Sequence, residues 1–134
     1  DTYLLITFWA SWDEESRERQ RELIAVKEKY AEHNFDILSI SLDTNREKWL
    51  QAIHEDSTTW RQACDFDGWS TGIVERMQIE QLPANVLLNP SRRIQAMDLY
   101  GEALDKKIDE LTEIRKPEDK VKKTPTNIRA LKKK

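Results

Sequence analysis

The stretch YLLITFWASWDEES, residues 3–16, decides the fold. Its first seven residues are almost all aliphatic or aromatic, a pattern typical of a strand buried on both faces of a parallel sheet. Ser11 and Glu14 have the spacing of a helix capping box, and Asp13 and Glu14 suit the positive end of a helix dipole. The stretch therefore predicts a buried strand that leads directly into a helix running from Asp13 to about His33.

The rest of the chain continues this alternation of strands and helices. The strand-helix-strand order predicts a parallel βαβ unit with a right-handed crossover, and the last two strands are expected to form an antiparallel hairpin. Residues 56–72 indicate a loop with a helical turn. We therefore expect an α/β domain with a central mixed four-stranded sheet flanked by helices. The further strands are predicted at residues 35–42, 83–88 and 93–100, and the further helices at 45–55, 71–78 and 104–114.

Two details of the predicted helices bear on the site. Thr44 and Glu47 again have capping-box spacing, which places the start of the second helix near Asn45. The first helix has no large apolar residue between Asp13 and Glu22. We therefore expect its first half to project into solvent while its second half packs on the sheet.

The 134-residue chain has an acidic body and a basic C-terminal segment. Residues 115–134 hold nine Lys or Arg against two acids, a charge of +7, so with a net charge of −3 the preceding residues carry −10. An acidic body argues against nucleic acid as a ligand. The sequence divides into a domain at 1–114 and a basic, flexible tail at 115–134.

Several classes of protein are excluded by composition. No apolar run approaches the roughly 18 residues that a membrane-spanning helix needs. With Cys64 as the only cysteine and two histidines, the chain has no internal disulfide, no C-x-x-C pair and no thiolate metal cluster. We expect no cofactor and no metal. The chain begins at Asp1 without a visible targeting segment, which indicates a mature or excised fragment.

Three strings resemble TlpA-type thiol-disulfide oxidoreductases of the alkyl hydroperoxide reductase and thiol-specific antioxidant superfamily. FWASW at residues 8–12 resembles the string before the redox motif, SISLD at 39–43 the end of the next strand, and QLP at 81–83 the cis-proline loop. DFDGW at 65–69 is similar to a loop of some members from anaerobic gut bacteria. The resemblance covers about residues 3–114. It implies a thioredoxin-like fold, a cis Pro83, and a bacterial, extracytoplasmic setting that is periplasmic or lipoprotein-linked. The family's N-terminal hairpin has no counterpart in this sequence.

The sequence departs from the family at the redox motif. Where the family carries C-x-x-C, this chain has Asp13, Glu14, Glu15 and Ser16, so both cysteine positions are lost. A carboxylate can use the positive helix end that lowers a thiol pKa, but it cannot exchange disulfides. The resemblance, with this departure, implies a redox-inactive binding or scaffolding module without catalytic residues.

A candidate binding groove follows from the same resemblance. In active relatives the tryptophan before the motif and the cis-proline loop frame the substrate peptide. Trp12, Asp13, Trp69, Leu82 and Pro83 are therefore expected to line a shallow groove that binds an extended peptide or a partner protein, because a strand-like peptide can hydrogen-bond beside such a proline. The sequence indicates no oligomeric state.

Two alternatives remain open. In the first, the chain is a thiol-disulfide oxidoreductase or a peroxiredoxin-like enzyme that works through Cys64 or a partner's thiol. The simpler interpretation of Cys64 is a partly buried loop residue, whose thiol pKa Asp65 and Asp67 would raise. In the second alternative, an acidic pocket supports a metal-dependent function. The simpler interpretation of these acids is capping and solubility, with Asp43 capping the second helix. The pocket residues are Asp13, Glu14, Glu15 and Asp43.

Overall fold

A five-stranded mixed sheet forms the centre of the computed structural model, which describes residues 1–112. Its strands lie in the order β3-β2-β1-β4-β5; β1, β2 and β3 are mutually parallel, and β4 is antiparallel to both β1 and β5. The strands are β1 (Tyr3–Trp9), β2 (Phe35–Ser41), β3 (Arg61–Ala63), β4 (Ala84–Leu88) and β5 (Ile94–Met97). The helices are α1 (Glu14–Lys29), α2 (Arg46–Asp56), α3 (Gly72–Arg76) and α4 (Gly101–Thr112), with a 3-10 turn at Gly68–Ser70.

The expected α/β architecture is confirmed, but the prediction of four strands was wrong. The fifth strand, β3, pairs in parallel with β2 over only three residues. Two of these, Arg61 and Ala63, are exposed. A short, polar strand at the sheet edge lacks the apolar alternation by which a strand is recognised, so residues 56–72 gave no strand signal.

Element ends differ from the predictions in several places. Helix α1 ends at Lys29 rather than near His33, and Asn34 takes a left-handed conformation (φ 60°) just before β2. Strand β5 is four residues rather than eight, and Asp98 directly after it also has positive φ. No glycine or proline marks either of these ends in the sequence. Ile114 and the basic segment at 115–134 lie outside the described residues.

Both faces of the sheet are covered. On one face, Leu4, Ile6 and Phe8 of β1 pack with Val74 of α3 and with apolar residues of β4. On the other face, Leu5 packs with residues of α1 and α4, and Trp9 packs with Trp49 of α2. The buried Trp9, which is 1% exposed, is therefore a core residue. None of the helices within residues 1–112 is long and apolar enough to cross a membrane.

The first half of α1 does not project into solvent as expected. Ser16 and Gln20, one turn apart, are buried against the sheet. Gln20 donates to the Thr7 hydroxyl at 2.9 Å and accepts from the Ser39 hydroxyl at 2.6 Å, so α1 docks on β1 and β2 through polar contacts. Trp60 Nε1 donates to the same Ser39 oxygen at 2.7 Å. The buried amide is tolerated because its hydrogen bonds are made within this network.

Candidate functional site

The N-terminal end of α1 lies beside the carboxyl end of β1, where the sequence resemblance places the redox motif. Asp13, not Ser11, is the N-cap, and its carboxylate accepts a hydrogen bond from Ser16 N at 3.0 Å. The fully buried Ser16 hydroxyl accepts from Ala10 N at 3.2 Å and donates to the Asp13 carbonyl oxygen at 2.9 Å. Asp13 and Ser16 thus both make hydrogen bonds to the backbone that hold the start of the helix.

Asp43 ties this turn to the end of β2. Its carboxylate, 1% exposed, accepts from Ser11 N at 3.0 Å and from the hydroxyls of Ser11 and Ser41. The prediction that Asp43 caps α2 was wrong, since Asn45 is the N-cap and accepts from Lys48 N at 3.0 Å. The capping box at Thr44 is absent for the same reason. Asp43 instead stabilises the loop that precedes α1.

The structure does not assemble the acidic pocket that the second alternative requires. Asp13 accepts from Ser16 N, Glu14 pairs with Arg21 at 2.6 Å, and Asp43 is enclosed by serine hydroxyls. Across residues 1–112, no group of three or more His, Cys, Asp or Glu side chains is arranged to hold a metal ion. These carboxylates act on the helix end and on the loop before it.

Cys64 contacts the backbone of Asp43, the residue that binds the loop before α1. This proximity could not be predicted from the sequence, because Cys64 is about fifty residues away from position 13. Its Sγ donates to the Asp43 carbonyl oxygen at 3.4 Å. Burial raises the pKa of the Cys64 thiol above its usual range; hydrogen bonds with the Phe66 backbone and the Ser41 side chain oppose this, and the nearby Asp43 and Asp65 charges add to it. The thiol is therefore held protonated at neutral pH, and burial contributes more than the aspartates that the sequence suggested.

The proline loop forms one wall of an open groove. The Leu82–Pro83 peptide bond is cis, and both residues line this groove with Glu15 of α1 and with Met97 and Tyr100 from the far end of the hairpin. Residues 80–82 make no backbone hydrogen bond with other described residues. An extended chain lying here therefore finds free backbone donors and acceptors.

The remaining expected groove residues lie elsewhere. Trp12, which is 61% exposed, lines a separate hollow against α2 together with Arg17 and Lys48. The Asp13 carboxylate caps α1. Trp69 is exposed on the 3-10 turn. Sequence reasoning did not find Met97 and Tyr100 as lining residues, because only the paired hairpin brings them back to the start of α1.

Tyr100 also closes a narrow slot behind the groove, between α1 and α4. The slot is lined mostly by apolar side chains, including Phe8, Leu23 and Leu104. The buried Tyr100 hydroxyl has no hydrogen-bond partner within the part of the chain that the structure describes, and the Arg19 guanidinium lies 4.7 Å from its ring centre. Burial, with a smaller effect of Asp98, raises the pKa of this phenol above its usual range.

Comparison with known proteins identifies the fold and the family. The thioredoxin-like family model matches residues 1–94, which is most of the chain. The chain belongs to the thioredoxin-like family. Among curated proteins, none matched this thioredoxin-like domain.

Solved structures support the same assignment. A thiol-disulfide oxidoreductase from Bacteroides fragilis is 44% identical, with a TM-score of 0.78 over 82% of this chain and 81% of that one. The C-terminal domain of a proposed thiol-disulfide oxidoreductase from Bacteroides thetaiotaomicron is 39% identical, with a TM-score of 0.78 over 84% and 78%. The thioredoxin domain of a thiol-disulfide oxidoreductase from Bacteroides vulgatus is 25% identical, with a TM-score of 0.78 over 83% and 79%. The expected thioredoxin-like fold and the resemblance to thiol-disulfide oxidoreductases are confirmed.

Proposed function

We propose that this thioredoxin-like domain of the thiol-disulfide oxidoreductase family does not exchange disulfides and instead binds an extended polypeptide. The observation that carries the proposal is the pair of hydrogen bonds between Asp13 and Ser16. Disulfide exchange needs a thiolate at the helix end to attack and a second thiol to resolve the mixed disulfide. Here one position is a helix cap and the other a buried serine, so neither half of the reaction has its sulfur.

Cys64 does not replace the missing pair. It is the only sulfhydryl in the whole sequence, and its raised pKa lowers the fraction of reactive thiolate at neutral pH. An exchange cycle through Cys64 would also need a resolving thiol from another molecule. A scaffold that keeps its fold without this chemistry is suited to binding.

The groove beside Pro83 supports the binding role. The backbone groups of residues 80–82 pair with no other described backbone group, and Met97 and Tyr100 add apolar surface to the lining of the same groove. An added strand gains affinity from main-chain hydrogen bonds and specificity from the side-chain surfaces around it. We further propose an extracytoplasmic location in a bacterium, in line with the Bacteroides relatives.

An insulin-reduction assay with dithiothreitol tests the redox half of the proposal. We expect wild type and Cys64→Ser to give the same rate as dithiothreitol alone. The double variant Asp13→Cys/Ser16→Cys serves as the matched positive control, because it restores both thiols on the same helix end. Turnover by wild type that disappears in Cys64→Ser would establish the enzymatic alternative and overturn the proposal.

A peptide array of extended twelve-residue sequences tests the binding half. We expect a subset of peptides to bind wild type and to lose binding in Gln81→Arg, which introduces a long side chain at the groove. Gln51→Arg, on the exposed face of α2, is the matched control and should bind as wild type does. Equal binding by both variants would place the interaction elsewhere and contradict a site at Pro83.

A further inference from the structure

All the charged residues that line the groove beside Pro83 are acidic. Glu15, Glu80 and Asp98 line it, and no Lys, Arg or His does so among the described residues. Within residues 1–112, Glu15 and Glu80 make no ion pair, whereas every ion-paired acid of α1 and α2 has an arginine partner. Arg19, whose guanidinium lies 4.7 Å from the Tyr100 ring centre, is already paired with Glu22 at 3.0 Å. The groove therefore favours a positively charged occupant.

The same chain carries a segment with the complementary charge. Residues 115–134 have nine Lys or Arg and two acids. This segment has no acidic run that would neutralise it internally, since Glu118 and Asp119 are its only acids. Its charge of +7 is larger in magnitude than the negative charge of the three carboxylates that line the groove.

The connection is long enough for the segment to reach the groove. Helix α4 starts at Gly101, directly after the groove residue Tyr100, and its twelve residues span about 18 Å at 1.5 Å per residue. An extended chain covers up to about 3.5 Å per residue, so about six residues suffice to return from Thr112 to Tyr100. More than a dozen residues of the basic segment then remain to lie along the groove.

We propose that residues 115–134 occupy the acidic groove of their own chain and so compete with the polypeptide that binds there. The proposal rests on the proposed function only for the identity of the competitor. A tethered segment has an effective local concentration in the range of about millimolar, which favours binding in cis over weak partners in solution. The pairing is electrostatic and is therefore weakened by salt.

Zero-length carbodiimide crosslinking of the full chain tests this directly, because it joins a carboxylate to a lysine only when the two are in contact. We expect amide links from Glu15 and Glu80 to lysines within 116–134, mapped by mass spectrometry. Their yield should fall by about fivefold or more in 0.5 M salt, as screening weakens exposed ion pairs. A mixture of ¹⁵N-labelled and unlabelled chains assigns each link to one chain or to two.

Matched variants complete the experiment. Glu15→Gln/Glu80→Gln removes two groove carboxylates, and Glu32→Gln/Glu47→Gln removes two exposed carboxylates outside the groove. We expect remaining Asp98 links to the tail to fall in the first variant and to stay at the wild-type level in the second. Links spread evenly over surface carboxylates, or found mainly between labelled and unlabelled chains, would overturn the proposal. Neither result depends on the peptide array, so failure here leaves the proposed function standing.

Discussion

Asp13 and Ser16 are joined by two hydrogen bonds: Ser16 N donates to the Asp13 carboxylate at 3.0 Å, and the Ser16 hydroxyl donates to the Asp13 carbonyl oxygen at 2.9 Å. The sequence resemblance to TlpA-type oxidoreductases places the two cysteines of the redox motif at these positions. The carboxylate and the hydroxyl at these positions are thus held in hydrogen bonds that fix the start of α1. Hydrogen bonds of Asp13 and Ser16, rather than a disulfide or a thiol, hold the start of α1.

Removal of the Asp13 cap should destabilise the domain. Asp13→Ala leaves Ser16 N without its acceptor, and loss of an N-cap typically costs about 1 kcal/mol in free energy of unfolding. Asp13→Asn keeps an acceptor oxygen and should cost only a few tenths of that. Urea denaturation followed by tryptophan fluorescence measures both. Asp13→Ala with wild-type stability would mean that the cap does not contribute.

Removal of the Ser39 hydroxyl should lower the free energy of unfolding by more than removal of the Asp13 cap does. Its oxygen is bonded to Thr7, to Gln20 and to Trp60 Nε1, all buried. Ser39→Ala leaves these polar groups unsatisfied, and the penalty for such groups predicts a loss of about 2–3 kcal/mol in free energy of unfolding. The exposed Ser70→Ala is the control and should be neutral. Equal denaturation midpoints for the two variants would show that the network is not stabilising.

The buried network also explains where sequence reasoning succeeded and where it failed. The apolar run of β1 predicted a central strand because every residue from Leu4 to Trp9 except Thr7 is large and apolar, and such runs have few other solutions. Gln20 carries no such signal. Its burial depends on partners on two strands, one of them 19 residues later in the chain.

The candidate site also contains residues that could be predicted from the sequence and residues that could not. The positions of Asp13 and Ser16 at the start of α1 could be predicted because they follow directly from the strand before them. The groove could be predicted only at Leu82 and Pro83, since Met97 and Tyr100 reach it through the pairing of β4 with β5. Pairing between distant segments sets those contacts, and no local pattern encodes it.

A fall in pH should destabilise the domain because it protonates Asp56. Burial raises its pKa, but the hydrogen bonds and charges of Arg17 and Arg21 outweigh this and hold the pKa below its usual range. Because the folded pKa lies below the unfolded one, the stabilisation is present above the unfolded pKa of about 3.9 and is lost as pH falls through the folded value. The free energy of unfolding should therefore fall below about pH 4.

Asp56→Asn isolates this contribution. At pH 7 the variant should be about 2 kcal/mol less stable than wild type, because Arg17 and Arg21 lose charged hydrogen bonds at 2.9 and 3.1 Å. The difference should shrink toward pH 3, where wild type loses the same charge. Urea denaturation across this pH range measures both curves. A constant difference at every pH would assign the effect to packing rather than to ionisation.

Cys64 should react slowly with alkylating reagents, and this rate tests the proposed lack of disulfide exchange through Cys64. Burial raises the pKa of the thiol, and its Sγ donates to the Asp43 carbonyl oxygen at 3.4 Å. Because the thiolate is the reactive species, iodoacetamide at pH 7.5 should modify the folded chain about tenfold more slowly than the urea-unfolded chain. The modified fraction reports on Cys64 alone, since the sequence has no other thiol. A folded rate equal to or above the unfolded rate would reveal an activated thiol and favour the enzymatic alternative.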